Sequence, residues 1–444
     1  MRAALLRHIH RLADDDLPAY VYDVRGLRAH ARAIRAALPR RVRFLYAAKA
    51  NSDPRLLRAL AAHVDGFEVA SGGELRHVRV LFPDAPISFG GPGKTVAELA
   101  HALDARVERL HIESEQELRT LTTVLGDRTA DVLLRVNVPV AVRAVALAMG
   151  GGPSPFGLDP SRLDRCLQII AADHRVRLRG LHVHLASGLD TRAHLALIDQ
   201  IMGWADRWAW QRGIDLTEVN IGGGMGVDYA DPRNVYDWRA FGIGLRRTLE
   251  RHPALTLRIE PGRAVTAYCG WYVTQILDVK SSRGTAFAVL RGGTHHLRTP
   301  AAKKHDQPFE VIPDDSWHRN WTRPEVRDEP VTLVGQLCTP KDVLARSATV
   351  GRLRVGDRIA FAMAGAYAWN ISHHDFLMHP RPTFHHVDDA DAGTSAVDDR
   401  GTDADPPAAG AYDAVTDPPV ADTHDAVTDP PVADTHDAVA GRTA

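Results

Sequence analysis

Between residues 25 and 275 the chain alternates short, β-rich apolar runs with segments whose apolar positions recur every three or four residues. VRFLYAAK is followed by DPRLLRALAAH, GFEVA by GGELRHVRVLF, ISFGG by TVAELAHAL, and RLHIE by SEQELRTLTTVL. DVLLRVNV, LRGLHVHLA and LTEVNIGGG each precede a further helical pattern, and TLRIEPGRAV closes the series. Parallel strands need a crossover between them, usually a helix, so repeats of about 25 residues predict βα units. About eight such units in some 250 residues are the size of a (β/α)8 barrel.

Near residue 275 the texture changes. WYVTQILDVKS, GTAFAVLRGG, EPVTLVGQL and GDRIAFAMAGAY read as strands without long helices between them, which predicts an antiparallel β domain over residues 276–387. The first 24 residues end in the strand-like AYVYDV and are assigned to that second domain. The expected fold class is therefore α/β: a (β/α)8 barrel over 25–275 with a C-terminal antiparallel β domain.

Charge divides the chain. Residues 388–444 hold 14 acidic and 2 basic side chains, which leaves residues 1–387 with 52 basic and 41 acidic, a net of +11. DAVTDPPVADTH at 413–424 repeats without change at 425–436, and a tail so poor in large apolar groups is expected to stay disordered. A basic body favours an anionic small-molecule ligand such as a polycarboxylate. No basic stripe with interleaved aromatics points to nucleic acid, and no apolar run is long enough to span a membrane. Cys166, Cys269 and Cys338 form no CxxC pair, so neither a disulfide framework nor a metal site is expected. The N-terminal stretch is a poor signal peptide, and the expected compartment is the cytoplasm.

Candidate chemistry clusters at the predicted strand ends, where barrels carry their sites. Lys49 ends the apolar run FLYAAK; desolvation there is expected to lower its pKa and make the amine nucleophilic, as a Schiff-base lysine requires. Glu68, His184, Gly222, Gly223, Gly224 and Glu260 fall at other strand ends. The triple glycine allows close approach of backbone N–H groups to a phosphate. It is not a dinucleotide fingerprint, because Val227 stands in place of the third glycine, and GGPGKT fails as a P-loop because Ser88 replaces its first glycine. Lys94 is accordingly assigned a structural role. His182 is assigned to the strand face opposite His184.

YAAKAN, GFEVASGGEL, GLHVHLASG, NIGGGMGVDY, RIEPGRAV, GQLCTPKDVL and AGAY occur in this order over nearly all of residues 20–385. Together they resemble the barrel-type (fold type III) pyridoxal-phosphate decarboxylases, the group containing diaminopimelate and ornithine decarboxylases. The resemblance implies a pyridoxal 5'-phosphate cofactor joined to Lys49. It implies Glu260 on the pyridine nitrogen, His184 stacked on the ring and Glu68 contacting the cofactor. Gly222, Gly223, Gly224, Ser187, Arg263 and Tyr367 would hold the phosphate. Cys338, with Asp342 as support, would return the proton that replaces the carboxylate. That cysteine would reach into a second subunit's barrel, which implies a homodimer with shared active sites.

The departures concern substrate. Relatives that bind a distal amine follow the cysteine with Asp or Glu, whereas Thr339 follows Cys338. Where those relatives carry an aspartate segment, this chain has RGGTHHLR, with His295, His296 and Arg298; AYAWNISHHDFLMHP then adds Asn370, His373 and His374. Such donors suit a substrate whose far end is a carboxylate cluster. Both segments look like the citrate-siderophore branch of the family, of the staphyloferrin B and achromobactin kind. That likeness places His295, His296, Arg298, Asp342, Asn370 and His373 on the substrate side. The runner-up substrate is diaminopimelate or a basic amino acid.

Overall fold

The computed structural model describes residues 1–140, 147–303 and 305–388, all within one compact unit. The tail expected to be disordered, apart from Asp388, lies outside the described residues.

Helix α1 (Ala3–Arg11) leads into strand β1 (Ala19–Asp23) and helix α2 (Val24–Ala37). The next strands are β2 (Val42–Ala47), β3 (Gly66–Val69), β4 (Ile87–Phe89), β5 (Arg109–Ile112) and β6 (Ala130–Arg135). After the two-residue β7 (Leu147–Ala148) comes β8 (Val176–His182). The two-residue β9 (Ala186–Ser187), β10 (Glu218–Asn220) and β11 (Thr256–Ile259) follow. Strands β10, β11, β2, β3, β4, β5, β6 and β8 close, in that order, into a parallel barrel. All eight runs anticipated from periodicity become barrel strands.

Helices α3 (Pro54–Ala61), α4 (Gly72–Leu81), α5 (Val96–Asp104), α6 (Glu115–Val124), α7 (Leu163–Ala172), α8 (Thr191–Arg212) and α9 (Trp238–Arg251) fill the crossovers. Their starts are set by side chains that accept from orphan amides: Asp53 for α3, Ser71 for α4, Thr95 for α5 and Ser114 for α6. Thr95 and Glu98 complete a capping box. These caps end each strand-to-helix loop abruptly and hold the strand ends in place.

The second sheet contains β12 (Gly270–Ser282), β13 (Thr285–Leu290), β14 (Phe309–Ile312), β15 (Glu325–Val334), β16 (Val343–Arg354), β17 (Arg358–Phe361) and β18 (Thr383–Val387). Strand β1 joins it between β12 and β18, where the opening residues were expected to go. Pairs β1–β18 and β13–β15 run parallel; the other pairings are antiparallel. Strands β14, β16 and β18 were not read from the sequence. Their exposed and buried positions alternate irregularly, so the period-2 signal is weak.

The arginines and histidines near the N-terminus belong to an amphipathic helix. Leu5 and Ile9, one turn apart on α1, pack with Leu17, Val21, Val273 and Ile312 in a small core beside the main one.

Candidate active site

Lys49 follows β2 and faces β3 across the register pair Ala47–Glu68. Its Nζ donates to both carboxylate oxygens of Glu68 at 2.8 Å. The Glu68 side chain is 4 % exposed and that of Lys49 46 %, so the amine is reachable while its counter-ion is not. Desolvation alone pulls the ammonium down, as expected from the sequence, but the charges of Glu68, Tyr367 and Glu260 outweigh it and hold the Lys49 pKa above its ordinary value. The expectation of a lowered pKa is thereby corrected: a carboxylate paired through strand register overrides burial.

Glu260, just past β11, is buried at the floor of the site. Burial first, then the charge of Glu68, raises its pKa, partly offset by Lys49 and by Asn220, whose Nδ2 donates to Oε1 at 2.6 Å. Beneath it lie His111 and His182, their rings 4.2 Å apart. His111 Nε2 is 3.7 Å from Oε1, and His182 Nε2 is 3.5 Å from Oε2. The sequence reading sent His182 to the other strand face, but residues two apart on a strand share a face. His111 and Asn220 were missed; each sits on a barrel strand whose interior positions should be apolar, the signal available for finding them.

Beyond β10 the glycine turn is dictated by contact. Gly222 and Gly224 have φ of +67° and +100°, which side chains avoid. A Cβ on Gly222 would lie 2.6 Å from His184 Nδ1, one on Gly223 2.6 Å from Glu260 O, and one on Gly224 2.5 Å from Ala186 O. His184 therefore packs directly on the turn. Burial, then the positive charges of Arg135 and Lys49, push its pKa down to about 3, so the ring is neutral near pH 7. Ser187 adjoins the same turn, because the amides of Gly188 and Leu189 donate to Gly224 O.

At the other side Arg263 donates to the Tyr229 hydroxyl at 2.9 Å and stacks 4.4 Å from the Tyr367 ring centre. Tyr367 holds an unusual φ of +49°, secured by its N–H to Ala50 O at 2.8 Å and by Thr299 Oγ1 donating to its own carbonyl. The cleft thus has a reachable amine, a buried carboxylate floor, and a glycine turn with Arg263 and Tyr367 toward one end. A phosphate-bearing pyridine aldehyde fits this donor set, and any Cβ on the turn would crowd its cradle.

The remaining sequence-derived residues divide. Asn370 Nδ2 donates to Lys49 O at 2.6 Å, which brings that segment to the lysine. Arg298 and His373 are exposed neighbours, and the Arg298 guanidinium has no hydrogen-bond or ion-pair partner among the described residues. His295 and His296 are 0 % and 1 % exposed. Burial pushes their pKa values down to about 4 and about 3. His296 Nδ1 meets Tyr272 OH at 3.1 Å, and His295 stacks on His296. In this chain they are neutral packing groups of the β domain rather than cationic donors, because the sheet encloses them.

Asp342 is likewise reassigned from the substrate side. It is buried, and its oxygens accept from Thr294 N at 2.6 Å and Leu337 N at 2.9 Å. Those bonds hold the turn that presents Cys338, which is exposed, whereas Cys166 and Cys269 are buried. Lys94 is structural, as read: its ammonium is enclosed by Gly91 O, His111 O and Glu117 Oε1.

The pyridoxal-binding domain of the pyridoxal-dependent decarboxylases matches residues 24–267. The 2-((L-alanin-3-ylcarbamoyl)methyl)-2-hydroxybutanedioate decarboxylase of Staphylococcus aureus is 39 % identical over 371 residues, covering 82 % of this chain and 92 % of its own. The L-glutamyl-(BtrI acyl-carrier protein) decarboxylase of Niallia circulans is 31 % identical, with 83 % and 88 % covered. In fold, the chain superposes on diaminopimelate decarboxylase from Helicobacter pylori complexed with L-lysine at a TM-score of 0.74, with 23 % identity and 86 % and 94 % covered. Sequence likeness across most of both chains, on a barrel with a reachable lysine at its rim, makes this chain a member of the pyridoxal-dependent decarboxylase family.

Proposed function

We propose that this chain decarboxylates an amino acid conjugated to citrate, converting citryl-2,3-diaminopropionate to citryl-ethylenediamine for a carboxylate siderophore of the staphyloferrin B kind. The observation that carries the reading is the donor set beside the lysine loop. Arg298 is exposed and unpaired among the described residues, His373 adjoins it, and Thr339 stands where amine-binding relatives place a carboxylate. A far end bearing carboxylates would meet a cation there, whereas a distal ammonium would be repelled. The Staphylococcus aureus relative adds weight, since its named substrate joins an alanine unit through an amide to a hydroxy-dicarboxylate arm.

Bound pyridoxal phosphate supplies an electron sink for the pair left when carbon dioxide departs. The chain's part is to place and charge the groups around it. Lys49 offers the tethering amine, with Glu68 governing its proton. Glu260 would hold the proton on the ring nitrogen, and neutral His184 would cover one ring face without adding charge. Gly222, Gly223, Gly224, Ser187, Arg263 and Tyr367 would hold the phosphate. Cys338 would return a proton to the α-carbon.

The same reading makes the enzyme a cytoplasmic homodimer with shared sites. Cys338 is exposed on a turn held rigid by Asp342. The neighbouring Phe376, Leu377 and Met378 present apolar side chains, the last two at φ of +58° and +55°, as a surface shaped for a second copy would. Three free cysteines suit a reducing compartment.

Carbon dioxide release should be measured across citryl-diaminopropionate, free diaminopropionate, diaminopimelate, ornithine and lysine. The citryl conjugate should exceed all others in kcat/KM. Robust turnover of diaminopimelate or ornithine with none of the conjugate would replace this reading by an ordinary amino-acid decarboxylase.

A further inference from the structure

The floor beneath Glu260 holds two imidazoles for which the reaction as described has no use. His111 and His182 are both buried, and His111 Nδ1 and both His182 ring nitrogens have no hydrogen-bond partner among the described residues. A buried, unpaired polar ring costs stability unless something is gained from it. Leucine or phenylalanine would fill the same space in a barrel interior without that cost. The rings are not placed at random. Each directs Nε2 toward a different oxygen of the Glu260 carboxylate, at 3.7 and 3.5 Å, and Asn220 adds a hydrogen bond to Oε1. Gly90 makes room for them, since a Cβ there would lie 3.2 Å from His111 Nδ1.

We propose that His111 and His182 are positioning residues for Glu260: with Asn220 they fix the plane of its carboxylate and offer it N–H groups from below, so that its upper edge meets the ring nitrogen of the bound cofactor. The inference rests on the assignment of Glu260 to that nitrogen.

The surrounding charges are consistent with neutral imidazoles as donors. Lys94, Arg135, Arg258 and Lys49 face the pair, and burial together with these cations holds both rings uncharged. A cation beneath Glu260 would compete with the ring nitrogen for its charge; a neutral N–H steadies the carboxylate and leaves that charge for the ring. Glu68 faces Glu260 from the other side and repels it, which makes a steadying contact from below the more valuable.

The test compares His182→Phe and His111→Phe, which keep an aromatic ring and lose the N–H, with His182→Gln, which keeps a donor. In the holoenzyme each Phe variant should lower kcat about 10- to 100-fold, the scale of a hydrogen bond to a charged group. KM should move less than about twofold, because these groups touch no substrate. The visible band of the bound cofactor should change its pH dependence, a signature that a packing role would not move. His182→Gln should recover most of both properties; it also serves if a Phe variant does not fold by circular dichroism. Wild-type kcat and an unshifted band in the Phe variants, or a Gln variant as impaired as Phe, would overturn the inference. So would a spectrum that changes when a chelator removes metal, since the imidazoles would then be metal ligands. Glu260→Gln separates the two assignments: if that variant leaves band and kcat unchanged, the role given to Glu260 fails first.

Discussion

Both carboxylate oxygens of Glu68 lie 2.8 Å from the Nζ of Lys49, so the family's nucleophile is held as an ion pair before any ligand arrives. The pair raises the Lys49 pKa, so its contribution to stability is complete below the ordinary lysine value and lost as pH rises through the folded value. An ammonium cannot attack an aldehyde, so Glu68 must give up its hold when the cofactor binds. Glu68→Gln leaves desolvation unopposed by its largest counterweight. The pH midpoint for capture of pyridoxal phosphate should then fall by about one unit or more, read from the growth of the visible band. Lys49→Ala should show neither band nor turnover with its fold intact. An unmoved midpoint in Glu68→Gln would mean that another group controls the proton.

Gly224 tests the phosphate cradle. Gly224→Ala places a side chain at φ +100° and its Cβ 2.5 Å from Ala186 O, a strain of about 1–3 kcal/mol. Cofactor affinity should fall roughly tenfold or more, measured by fluorescence titration of the apoprotein. Gly73→Ala, where the nearest atom to a new Cβ is 3.7 Å away in helix α4, should leave affinity unchanged. Equal affinities for the two variants would remove the turn from the phosphate site.

Cys338→Ala should slow turnover by about 10²-fold with little loss of cofactor, the usual scale for a general acid. Mixing it with Lys49→Ala should restore some activity, because one site of each mixed dimer would combine an intact lysine with an intact cysteine. If subunits exchange, as followed by mass spectrometry, and no activity returns, each site is built within one chain.

Arg298→Ala should raise KM for the citryl conjugate by the equivalent of about 1.5–3 kcal/mol, the loss of a charge-assisted hydrogen bond. Turnover of a simple amino acid should barely change. His296→Ala is expected to behave differently. It removes a buried ring bonded to Tyr272 OH, so Tm should drop while KM stays near wild type. A strong KM effect at His296 and none at Arg298 would reverse the two assignments.

What the sequence determined by itself is what depends on near neighbours. The βα repeats were legible because alternation, helical period and caps such as Thr95–Glu98 are written within a dozen residues. Gly222, Gly223 and Gly224 were legible because no other residue tolerates that turn, and Lys49 and Glu260 because they end strands in marked motifs. What only the tertiary structure decided is what depends on the field of the whole fold. Lys49 is charged rather than depressed because strand register sets Glu68 against it. His295 and His296 are neutral because the β sheet closes over them, while Arg298, two residues on, stays open. His111, His182 and Asn220 meet under Glu260 only when the barrel closes. Burial and electrostatics sum over residues far apart in the chain, and no local pattern encodes that sum.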